Sequence, residues 1–153
     1  MRLVKQSKGN WQYHLNHNEA DILLGLVKKF PFTELSQIKI SKTDNEPATV
    51  ERGKLLNESL AEHRKALKTL AMNLLGNEKW QPSGEGQLLT LDSGSREILL
   101  QILNDIRVGC WHALGEPEVL ESPAAHSSRK DLTYRKLMDL AGYFEMKFLE
   151  PEV

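Results

Sequence analysis

Residues 87–115, QLLTLDSGSREILLQILNDIRVGCWHALG, pass from a strand into a long helix across a single aspartate. Gln87 to Leu91 is short, apolar and fenced on its N-terminal side by Gly84 and Gly86, which predicts a strand. Asp92 stands where a helix N-cap accepts backbone N–H bonds, and Gly115 suits the left-handed C′ position after the last turn. At about 100° per residue, Ile98, Leu99, Ile102, Leu103, Ile106, Cys110, Ala113 and Leu114 fill one broad arc. Leu100, Arg107 and Trp111 lie together at its margin. An arginine there is expected to be partly buried and paired, because a guanidinium cannot give up its charge. Asp105 projects about 160° away from it, toward solvent or another element. The expected partner is therefore Glu145, at the margin of the last helix's apolar stripe.

Working outward, Leu3–Ser7 and Trp11–Leu15 flank Lys8-Gly9-Asn10, and Trp11, Tyr13 and Leu15 alternate with Gln12 and His14. This is a hairpin signature. Two strands alone are marginal, so Leu88–Leu91 is expected as a third, with one face of the sheet resting on helices. Asn16-His17-Asn18 offers an N-cap for a first helix over Glu19–Lys29, ended by Pro31. A second helix is expected over about Val50–Leu75, with Leu56, Leu60, Leu67, Leu70, Ala71 and Leu74 as its buried stripe. Asn77–Gly86 reads as a connector from which Trp80 folds back onto the core. The last helix, about Leu132–Leu149, is expected to bury Tyr134, Leu137, Leu140, Ala141, Phe144 and Phe148. Phe32–Ala48 and Glu116–Lys130 read as long loops, the kind of segment that often carries contacts. The fold class is thus α+β and predominantly helical, a single domain over 1–153. Its core is four-helix and bundle-like, with a small antiparallel sheet made of the N-terminal hairpin plus one strand.

A chain of 153 residues with 40% hydrophobic and 27% charged residues can bury a core of its own, which argues against extensive disorder. The net charge of −1 provides no global attraction to nucleic acid. Arg2, Lys5 and Lys8 give the N-terminal end a mild positive bias; the acids Glu116, Glu118, Glu121, Glu145, Glu150 and Glu152 lie toward the other. No signal-peptide core is visible at Met1–Lys8, and no segment approaches the roughly 18 apolar residues of a membrane span. A cytoplasmic location without membrane contact is expected. Cys110 is the one cysteine, which excludes an intrachain disulfide or a cysteine-rich zinc site.

Few residues offer chemistry. His14 and His17, with Glu19 beyond, lack the spacing of a zinc-binding helix. His63 falls within the second helix's leucine stripe, where a histidine is ordinarily a core residue with a satisfied ring nitrogen. Cys110 is a candidate redox residue, but on an apolar arc its thiol should stay protonated and unreactive. No glycine-rich phosphate cradle and no nucleophile with its base is found. The sequence reading assigns no catalytic residue, cofactor or metal. It leaves Arg107, His63 and Glu145 as a candidate polar core, and Trp11, Phe32, Trp80 and Val119 as candidates for a contact surface.

Asn18-Glu19-Ala20-Asp21-Ile22-Leu23-Leu24 opening the first helix, and Leu103-Asn104-Asp105-Ile106-Arg107 inside the third, resemble a bacterial family long classed as a domain of unknown function. Its actinobacterial members are described as oxidative-stress-responsive regulators. Tyr134, Leu137 and Leu140 echo the spaced Tyr and Leu residues of that family's last helix. The regulator role there is linked to a redox pair of cysteines, and with Cys110 alone this chain has no intramolecular disulfide switch. The expected function is a non-enzymatic cytoplasmic regulatory or adaptor domain acting through an unknown protein partner. The alternatives are a stress-responsive DNA-binding transcriptional regulator, weakened by the near-neutral charge, and a small enzyme or ligand sensor using His63 and Arg107.

Overall fold

The computed structural model describes residues 1–31, 47–118 and 128–151. Strand β1 (Arg2–Ser7) and strand β2 (Asn10–Asn16) are joined by Lys8 and Gly9, both at positive φ (50° and 79°), the backbone of a two-residue type I′ hairpin turn. The register shifts between Leu3 and Lys5, so β1 carries an irregularity at Val4. Strand β4 (Gly86–Asp92) pairs antiparallel with β2, setting Tyr13 opposite Leu89. Tyr13, Leu15, Leu89 and Leu91 are all fully buried, so the two-residue alternation read from the sequence marks the inner face of the sheet. At Gly86 the packing leaves no room for a side chain. A Cβ there would lie 2.2 Å from the Leu15 carbonyl oxygen.

The sheet has four strands in the order β1-β2-β4-β3, not three. The extra strand, β3 (Trp80–Ser83), lies inside the segment expected to be a connector. Four residues with a proline and a single large apolar side chain show no period of their own. Their strand character comes from pairing with β4, Trp80 opposite Leu89. Pro82 is tolerated because β3 is an edge strand.

Helix α1 (His17–Lys29) begins with a capping box: the Asn16 side chain accepts from the Glu19 N–H at 2.8 Å, and the Glu19 carboxylate accepts from the Asn16 N–H at 2.9 Å. Helix α2 runs Pro47–Leu74 and opens on proline, whose missing N–H costs nothing in a first turn. Helix α3 (Ser93–Ala113) is capped by Asp92, which accepts from Ser95 N–H at 2.7 Å, and is followed by Gly115 at φ 85°. Helix α4 (Arg129–Leu149) starts on a Ser128 cap, three residues before the expected Leu132.

Helix α3 is the centre of the core. Leu99, Ile102, Leu103, Ile106 and Cys110 are buried against α4's Tyr134, Met138, Ala141, Phe144 and Phe148. Ala113, expected in the buried arc, is exposed at the last turn. The larger correction falls on α2. Only Arg64, Leu67 and Ala71 are buried within it, while Leu56 and Leu70 remain 41% and 48% exposed. Its face toward the core is rotated from the centre of its leucine stripe, so one edge of the stripe stays in solvent. The expected loops of residues 32–48 and 116–130 lie largely outside the described residues.

Candidate functional site

Two ion pairs tie α3 to its neighbours from opposite sides. Arg107 donates from Nη1 to Glu145 Oε2 at 2.5 Å, the partner expected from the sequence. Arg107 is more open than expected, its side chain 47% exposed, while that of Glu145 is only 11% exposed. The carboxylate sits inside and the arginine reaches in from solvent, its methylenes covering the helix surface. Glu145 Oε1 is buried with no hydrogen-bond partner among the described residues, which makes Arg107 the carboxylate's main compensation.

The second pair was missed in the sequence. Arg64 of α2 donates to Asp105 through Nε at 3.1 Å and Nη2 at 3.2 Å, a two-point contact. Here the arginine is buried, with a side chain 9% exposed, and the acid is at 36%. Two signals pointed to it: Asp105 projects away from Arg107, and Arg64 falls between Leu60 and Leu67 on the side of α2 that meets α3. Neither names the partner, because the rotation of α2 is set by tertiary packing.

Beside this pair, α2 and α3 leave a groove of about 220 Å³ lined by Leu60, His63, Arg64, Leu67, Gln101, Asn104, Asp105 and Val108. His63 is exposed on its rim, not held in the core as the stripe implied. His63 and Arg107 do not meet: His63 lines the α2/α3 groove, and Arg107 is bound to Glu145 of α4. Among the described residues, α2 carries Val50, Leu55, Leu56, Leu70 and Met72 exposed, Val108 of α3 is exposed at 44%, and Val4 of β1 and Leu132, Met146 and Leu149 of α4 are exposed elsewhere.

The remaining candidates serve the fold. Cys110 is fully buried, and burial pushes its thiol up to about 11, so the thiolate needed for redox chemistry is scarce near neutrality. Trp11 packs against the core under the Arg96 guanidinium, 4.8 Å from the ring centroid. Trp80 also packs on the core and donates from Nε1 to the Leu75 carbonyl at 3.0 Å. Phe32 and Val119 lie outside the described residues. His14 contacts the Ser83 carbonyl through Nε2 at 3.0 Å. Glu19 is held by the terminal ammonium of Met1 and by the Tyr143 hydroxyl, which donates at 2.5 Å. Burial would raise the Glu19 carboxyl, but the bonds from the ammonium, Tyr143 and the Asn16 N–H outweigh it and hold the group at about 2. Burial and the same carboxylate push Tyr143 up to about 12. Among the described residues no three His, Cys, Asp or Glu side chains gather as a metal site would require, and no helix is long and apolar enough to cross a membrane. No protein-family model, curated protein or solved structure matches the chain.

Proposed function

We propose that this protein is a non-enzymatic cytoplasmic regulatory or adaptor domain, and that it acts through protein contacts made by the face that α2 and α3 share. The observation that carries this reading is the placement of apolar surface. Of the ten large apolar side chains exposed among the described residues, five stand on α2 and a sixth, Val108, lines the adjoining groove, the others being Val4 of β1 and Leu132, Met146 and Leu149 of α4. Arg64 and Asp105 neutralise each other in the groove wall, so its chemistry suits an apolar side chain more than a charged metabolite. The family resemblance supports a regulatory role. The proposed surface differs from the hairpin and loops favoured by the sequence, because Trp11 and Trp80 are drawn into the core.

Val108→Glu tests it, since Val108 lines the groove but is 44% exposed and outside the core. In pull-downs from the native cytosol, wild-type protein should retain partners that the variant loses at an unchanged melting temperature. An unchanged set of partners would remove the groove from the proposal. Binding of labelled duplex DNA that fades steeply with salt would instead favour the DNA-binding regulator.

A further inference from the structure

No further inference is drawn: the strongest candidate, the groove between α2 and α3 with the exposed apolar side chains of α2 beside it, belongs to the site already described, and nothing in the structure shows what covers it.

Discussion

Helices α2 and α3 each carry six leucine and isoleucine residues, yet they relate to the core in opposite ways. In α3, 21 residues long, five large or medium apolar side chains are buried at 1% exposure or less. In α2, 28 residues long, Leu67 and Ala71 are the buried apolar residues within the helix. The difference lies in what surrounds each. Helix α3 meets α4, the sheet and α2, so most of its apolar arc finds partners, whereas the buried residues of α2, Arg64, Leu67 and Ala71, all lie in its C-terminal half. At 28 residues α2 is roughly 42 Å long. An apolar stripe records which side chains could be buried; the neighbours decide which are.

Substitutions can break this contrast. Leu103→Ala should cost about 2–5 kcal/mol in urea unfolding, since Leu103 is fully buried where α3 enters the core and the cavity cannot easily collapse. A loss no greater than that of a surface change would mean that α3 is not the centre described here.

The ion pairs provide the next test. Arg107→Ala should cost about 1–3 kcal/mol, the scale for leaving a buried acceptor unsatisfied, because it strands the Glu145 carboxylate. In the Glu145→Gln background the same change should cost less, and a double-mutant cycle measures the coupling. Equal costs in both backgrounds would show that the pair contributes nothing beyond its separate side chains.

Glu19 sharpens the comparison from the side of α1. Its carboxyl is held at about 2, below the ordinary 4.5, so folding favours the ionised form. The unfolded chain then binds more protons below 4.5, and the stabilisation, complete above that value, is lost as pH falls through about 2. Thermal melts of wild type against Glu19→Gln should converge as pH is lowered across that window. Parallel curves would show that Glu19 is not the group responsible.

The smallest effect belongs to the uncovered edge of α2. Leu56→Ala and Leu70→Ala should each stay within about 0.5 kcal/mol, as surface substitutions do. A core-sized loss would place both leucines in contact with the core and remove the apolar face on which the proposed function stands.

Much of the fold was legible because it follows from local rules. The Lys8-Gly9 turn, the Asn16 and Asp92 caps, the positive-φ Gly115 and the periods of two and of 3.6 each depend on neighbouring residues alone. So does Arg107's need for a carboxylate, and Glu145 was legible as its partner because it marks the margin of the facing stripe. Four features depended on distant chain. Strand β3 is strand-like only because β4 pairs with it, having no alternation of its own. The Arg64–Asp105 contact and the exposure of His63 both follow from the rotation of α2 about its axis, a single angle that decides which edge of its stripe meets α3. The exposure of Arg107 is tertiary too: its place on α3 follows from periodicity, but how far it opens to water depends on how α3 and α4 pack together.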